Sequence, residues 1–311
     1  MSEFHHVSVL LQECIDALNI KPDGIYVDGT LGGAGHSSHI VQKLESGRLI
    51  GIDRDPVALA ASGKRLEPWK DRVTLVHSNF CEVKSVINQL GLSGVDGILL
   101  DLGVSSPQLD DGQRGFSYMA DAPLDMRMNG GDLLTAKTVV NSWSEEELRR
   151  ILYDYGEERY APRIAAAICR QRAEKEIETT LQLVDIIKGA MPPAALREKQ
   201  HPAKRSFQAI RIAVNDELGS VEKVMRDAFD CLNPGGRLAV ITFHSLEDRI
   251  VKTAMANASK GCTCPPNFPV CVCGKKPLVQ LISRKPIVST QKELDENPRA
   301  RSAKLRVCEK L

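Results

Sequence analysis

The chain has 311 residues, 42% hydrophobic and 26% charged, with a formal net charge of +1. This is the composition of a soluble globular protein with room for one large domain or two modest ones, and its overall charge exerts no pull toward nucleic acid. No run approaches the roughly eighteen apolar residues of a membrane span, and the polar N-terminus does not read as a signal peptide, so a cytoplasmic protein that stays off membranes is expected.

Leu11, Ile15 and Leu18 mark the apolar face of a first short helix. A strand ending in Tyr26-Val27-Asp28 runs into Gly29-Thr30-Leu31-Gly32-Gly33-Ala34-Gly35-His36, and a helix follows through Leu44. Leu49 to Asp53 is a second strand, and Asp55-Pro56 opens the next helix with proline at a favoured first position. Val73 to Val76 is a third strand, ending near Asn79-Phe80, and Val83, Val86, Ile87 and Leu90 pattern the helix after it. Asp96 to Asp101 is a fourth strand whose continuous apolar centre suits cover on both faces. Four strands alternating with helices predict an α/β fold with a parallel, doubly wound sheet.

The alternation then stops. Ser144 to Glu147 is a capping box opening a helix to Gly156, and further helices carry Ile164 and Ile168, Leu183 to Ala190, and Phe207 to Leu218. The expected organisation is an all-helical insertion over 109–211 inside a sheet domain made of 1–108 and 212–311. The sheet resumes with an amphipathic helix from Val221 to Leu232, a stop at Asn233-Pro234-Gly235-Gly236, and a fifth strand, Leu238 to Phe243. A helix from about Leu246 follows, then a closing antiparallel pair, Leu281 to Ile287 with Lys304 to Cys308.

Four glycines within Gly29 to Gly35 exceed what a structural turn needs. They admit positive φ and let a ligand approach the backbone, while the helix start offers free N–H groups. A phosphate-binding P-loop needs Lys-Ser or Lys-Thr where His36-Ser37 stands, and the dinucleotide fingerprint lacks its third glycine after Gly33-Ala34-Gly35. Asp53, eighteen residues after Gly35, ends the second strand where a carboxylate can accept both hydroxyls of a ribose. Asp28 sits where the methionine end of S-adenosylmethionine (SAM) needs partners. With the Pro-Gly-Gly turn and the late antiparallel pair, these favour SAM over nicotinamide.

Several runs make the reading specific. Asp28 to Ser37, Asp53-Arg54-Asp55-Pro56 and Asp96 to Asp110, with its Leu102-Gly103-Val104-Ser105-Ser106-Pro107-Gln108 segment, resemble the bacterial ribosomal small-subunit methyltransferase H family. So do Arg114-Gly115-Phe116-Ser117, Pro123 to Met128, Phe243 to Arg249 and Asn297 to Ser302. The resemblance implies a class I SAM-dependent methyltransferase domain, Rossmann-like, with a helical insertion. It implies methyl transfer to the exocyclic N4 of a cytidine of 16S rRNA at the decoding centre of the small ribosomal subunit, and leaves a homodimer open. Carried over by position, the cofactor contacts are Ala34, Gly35, His36, Asp53, Phe80, Asp101 and Gln108.

The cytosine amine is a poor nucleophile, so alignment with the sulfonium methyl matters most, and the base must be extruded into the pocket. The Asp/Asn-Pro-Pro-aromatic motif of many amino-methyltransferases is absent after strand four, where Asp101-Leu102-Gly103 stands. Asp101 is the first candidate proton acceptor and Asp125 the second. His244-Ser245 lacks the Gly-x-Ser-x-Gly elbow of a hydrolase and is set aside. The competing readings are a SAM-gated RNA-binding assembly factor, a nicotinamide oxidoreductase, and a methyltransferase for protein or small molecules.

Charge and cysteines add two expectations. From Lys275 to Leu311 ten Lys/Arg stand against four Asp/Glu, and from Arg197 to Arg211 five stand against one, patches that permit RNA without proving it. Lys204 and Arg205 are the candidate phosphate contacts. Cys14, Cys81, Cys169, Cys231 and Cys308 are scattered and read as reduced thiols, whereas Cys262-Thr263-Cys264 and Cys271-Val272-Cys273 could hold a structural zinc or be reduced cysteines of a surface loop.

Overall fold

A computed structural model describes residues 8–105, 108, 111–262, 264, 270 and 273–311. The chain divides into two compact units, one running to Gly103 and resuming over Leu218–Leu311, the other Val104–Glu217. The division falls a few residues outside the expected 109–211.

The first unit opens with α1 (Leu11–Leu18), β1 (Ile25–Asp28), α2 (Gly35–Gln42), β2 (Arg48–Asp53), α3 (Pro56–Leu66), β3 (Val73–His77), α4 (Val83–Gln89) and β4 (Val95–Asp101). The helices α5 (Ala136–Ser142), α6 (Glu145–Asp154), α7 (Ala161–Glu174), α8 (Thr180–Ala190) and α9 (Lys204–Asn215) belong to the second unit. Then come α10 (Glu217–Cys231), β5 (Leu232–Thr242), α11 (Ser245–Ser259), β6 (Val279–Leu281), α12 (Gln291–Glu296) and β7 (Lys304–Lys310). The sheet order is β3-β2-β1-β4-β5-β7-β6. β1 to β5 pair in parallel, and β7 pairs antiparallel with both β5 and β6.

The apolar runs are continuous because both faces of the sheet are covered, and successive residues serve opposite faces. Val27, Ile50, Ile98, Leu100, Leu238 and Val240 pack with Val83, Val224 and Val251 on one side. Tyr26, Leu49, Leu99, Ala239, Ile241 and Leu305 pack with Leu18, Ile40 and Leu66 on the other. The Asp55 carboxylate caps α3 by accepting the Val57 N–H at 3.0 Å, with Pro56 at the first helical position. The second unit has its own core, in which Val139, Leu148, Ile151, Ile164, Ile168, Leu183, Ile187, Phe207 and Ile210 meet.

Four local expectations are corrected. The short α5 was not foreseen: it follows the glycine pair Gly130-Gly131, is rich in poor helix formers, and is started by Thr135, whose hydroxyl accepts the Thr138 N–H at 3.1 Å. Leu218 lies in α10 and not α9, because Asp216 takes a left-handed conformation (φ 46°) and ends α9. β5 begins at Leu232, and its ladder with β4 is irregular where the Pro-Gly-Gly segment passes, between the partners of Val95 and Gly97. β6 is Val279–Leu281, and Ile287 adds an isolated bridge to Leu305.

Candidate active site

The carboxyl ends of the parallel strands carry the chemistry. The strand order reverses between β1 and β4, the switch point where open α/β sheets bind ligands. Asp28 ends β1, Asp53 ends β2 and Asp101 ends β4, so the sheet itself delivers three carboxylates to one edge.

The glycine loop is threaded through that edge. Gly29 N–H donates to Leu99 O of β4 at 2.9 Å, and Leu31 N–H to Ile52 O of β2 at 3.0 Å. Gly32 has φ +50°, a conformation side chains disfavour, and its N–H donates to Asp53 Oδ2 at 2.7 Å. A Cβ at Gly35 would lie 1.8 Å from Ser8 Oγ, so any larger residue would have to displace the Ser8 side chain. Asp53 Oδ1 accepts the Asp55 N–H at 2.8 Å. Burial pushes the Asp53 carboxyl up, against those two amides. A carboxylate offers about four lone-pair sites, and the two amides leave capacity for the two hydroxyls of a ribose.

Asp28 is fully enclosed: Ser37 Oγ donates to Oδ2 at 2.7 Å and Thr30 N–H to Oδ1 at 3.1 Å. Burial still pushes it up to about 6. Thr30 ties the loop to β4 as well, its hydroxyl oxygen accepting the Asp101 N–H at 2.6 Å.

Asp101 is the most perturbed group of the edge. Its side chain keeps 26% exposure, yet Oδ1 is shielded and has no hydrogen-bond partner among the described residues. Burial first, then Asp28 and Glu247, push it up to about 8. Its other oxygen is 3.8 Å from His36 Nδ1, too long for a hydrogen bond. His36 Nε2 lies 3.1 Å from Val9 O, which only accepts, so Nε2 carries a proton and Nδ1 is the atom turned to Asp101. The sequence reading missed Glu247. It stands in the first turn of α11, where its Oε2 accepts the Phe243 N–H at 2.9 Å, and the capping pattern His244-x-x-Glu247 gave no hint that this acid also bears on Asp101.

Phe80, half-buried in a single 3-10 turn after β3, packs against the core beneath, and Asn79 caps that turn through the Cys81 N–H at 3.1 Å. Ala34, Gly35, His36, Asp53, Phe80 and Asp101 thus all stand in the first unit, on the loop and strand ends. Gln108 and Asp125 belong to the second. Gln108 is buried, its Oε1 accepting the Ser105 N–H at 3.1 Å; its neighbours Ser106, Pro107, Leu109 and Asp110 lie outside the described residues, as does Cys271. Asp125 is engaged within its own turn: Arg127 grips both oxygens, Nε to Oδ1 at 2.9 Å and Nη2 to Oδ2 at 2.7 Å. Partial burial raises its pKa, but the guanidinium outweighs it and holds the carboxyl below its usual range, so it serves as the strut of its turn.

The chemistry of this edge fits SAM. Crowded carboxyls that burial holds toward their neutral form gain by ionising beside a ligand carrying a sulfonium and an ammonium, and the acid after β2 suits its ribose. The fold and site define a class I methyltransferase. The chain belongs to the MraW methylase family, whose model matches residues 3–311. It is 60% identical over 309 residues to the Ribosomal RNA small subunit methyltransferase H of Brevibacillus brevis, covering 99% of this chain and 98% of that one. Its counterpart of the same description in Heliobacterium modesticaldum is 57% identical over 310 residues, covering 99% of each. A crystal structure of an rRNA methylase from Streptococcus thermophilus overlays 96% of this chain and 93% of its own at TM-score 0.41 and 9% identity, too distant to carry weight.

Proposed function

We propose that the protein transfers a methyl group from SAM to the exocyclic N4 of a cytidine in 16S rRNA of the small ribosomal subunit, and works in the cytoplasm. The observation that carries the reading is the convergence of the glycine loop with Asp28, Asp53 and Asp101 at one sheet edge, in a chain of the MraW methylase family. No helix among the described residues is long and apolar enough to cross a membrane.

When bound, SAM supplies an electrophilic methyl group. The loop backbone from Ala34 to His36 holds its methionine portion, Asp53 accepts from the ribose, and Phe80 packs against the adenine. Asp101 has a carboxyl that titrates near neutral pH and favours its ionised form beside a cation. It would accept a hydrogen bond from the cytosine amine, orient the nitrogen lone pair, and take up the proton that the methylated amine gives up. The helical unit holds RNA: Lys204 is exposed at the start of α9, while Arg205 is half-buried and leans on Glu157 O at 3.4 Å.

The test is transfer of labelled methyl from SAM to small ribosomal subunits, followed by nucleoside mass spectrometry. N4-methylcytidine with the wild type and not with Asp53→Ala is the expected result. SAM binding without any methylated nucleoside would instead favour the assembly-factor reading.

A further inference from the structure

The loop between α11 and β6 holds sulfur that the methyl-transfer site does not use. Cys262, Cys264 and Cys273 each offer an Sγ, and the three atoms all lie within 4.8 Å of one another. Cys262 Sγ and Cys273 Sγ are 3.7 Å apart. A disulfide requires about 2.05 Å, whereas two thiolates on a tetrahedral zinc, each bound at about 2.3 Å, stand about 3.8 Å apart. The Cys264 N–H is 3.3 Å from Cys262 Sγ, the amide-to-sulfur contact that steadies a metal-bound thiolate.

The loop is pinned at its base. Leu278 N–H donates to Ala258 O at 2.8 Å, Leu311 N–H to Leu278 O at 3.1 Å, and Lys275 Nζ reaches Asn257 O at 3.4 Å. Cys262 and Cys273 are exposed and outside the apolar clusters, so burial cannot be what gathers the thiols.

We propose that Cys262, Cys264 and Cys273 bind one structural zinc ion that closes this loop. Each thiol gives its proton to solvent and its sulfur lone pair to the metal, with no change of oxidation state, and a fourth ligand completes the tetrahedron. An all-sulfur trio favours zinc over hard cations such as magnesium or calcium.

The test uses the full chain expressed in zinc-replete medium and passed through metal-free buffer. Elemental analysis should give about one zinc per chain, falling at least tenfold in Cys262→Ser and in Cys264→Ser but not in Cys169→Ser. Cobalt exchanged into the wild type should show tetrahedral d–d bands and thiolate charge-transfer absorption, whose intensity reports three or four sulfurs. Chelation should speed tryptic cleavage after Lys260 and Lys275 at least tenfold while circular dichroism stays unchanged. Less than a tenth of a zinc per chain, stoichiometric iron, or a Cys262–Cys273 disulfide in freshly isolated protein would overturn the site. Equal cleavage with and without metal would overturn the bracing role.

Discussion

The two units carry different kinds of buried polarity. In the helical unit the buried amides and ion pairs meet matched partners, with the hydroxyl of Ser206 left over among the described residues. Asn215 donates from Nδ2 to Met126 O and Arg211 O at 2.8 and 2.9 Å, and accepts the Met128 N–H at 2.8 Å. Arg211 grips Glu217 through two bonds of 2.8 Å, and Asn141 bonds both the N–H and the C=O of Ile177. In the sheet unit three acids crowd together, and one oxygen of Asp101 is without a partner among the described residues. Buried polar groups that are satisfied fix a structure, whereas an uncompensated one is kept at a cost that a ligand can repay. The contrast therefore separates polar residues that build from polar residues that work.

The largest effect expected from breaking this contrast is catalytic. Asp101→Asn removes the proton acceptor while keeping shape, and should lower methyl transfer by about 100-fold or more. A rate within threefold of wild type in single-turnover assays would remove Asp101 from the chemistry. The same substitution should not weaken the ligand-free fold. Asp101 and Asp28 titrate in the folded chain near 8 and 6, above the ordinary carboxylate range, so the folded state holds protons that the unfolded state releases. Their contribution to stability is fully present below about pH 4 and is lost as pH rises through 6 and 8. The melting temperature of ligand-free Asp101→Asn should accordingly gain on wild type between pH 6 and pH 9. A constant difference across that range would contradict the assignment.

Polar deletions in the helical unit should do the reverse. Asn215→Ala strands the Met128 N–H and two carbonyls in the interior and should cost about 2–3 kcal/mol in urea unfolding, with unchanged SAM affinity. Asp125→Asn should leave single-turnover methyl transfer within about threefold of wild type while destabilising the turn that Arg127 holds; a collapse of rate in folded protein would restore Asp125 as an acceptor. The smallest change is Thr179→Ala at the start of α8, where Thr179 Oγ1 accepts the Gln182 N–H at 3.4 Å; about 1 kcal/mol should be lost without a catalytic effect.

What the sequence made legible follows the same divide. Apolar runs ending in Asp28, Asp53 and Asp101 announced three strands, and the structure ends β1, β2 and β4 at those acids. The capping boxes at Ser144 and Thr179 lie within a few residues of their partners and are readable locally. Glu247 bearing on Asp101 joins residues 146 positions apart, and the grip of Arg127 on Asp125 turns on side-chain direction; neither leaves a periodic trace. The break between α9 and α10 fell at Asp216, with no glycine or proline to announce it.

Ala34 carries a consequence for how the cofactor loop recognises its ligand. It holds φ +57° without being glycine, a strain of about 1–2 kcal/mol, and its methyl group is wholly buried with Leu31 and Val9. Burial of that methyl holds the loop in a conformation that alanine alone would avoid, whereas glycine would adopt either sign of φ freely. Ala34→Gly would relieve the strain and release the loop together, so SAM would meet a disordered hinge and bind with a larger entropic penalty. The loop is thus a rigid mould, and its selectivity resides in a shape set during folding.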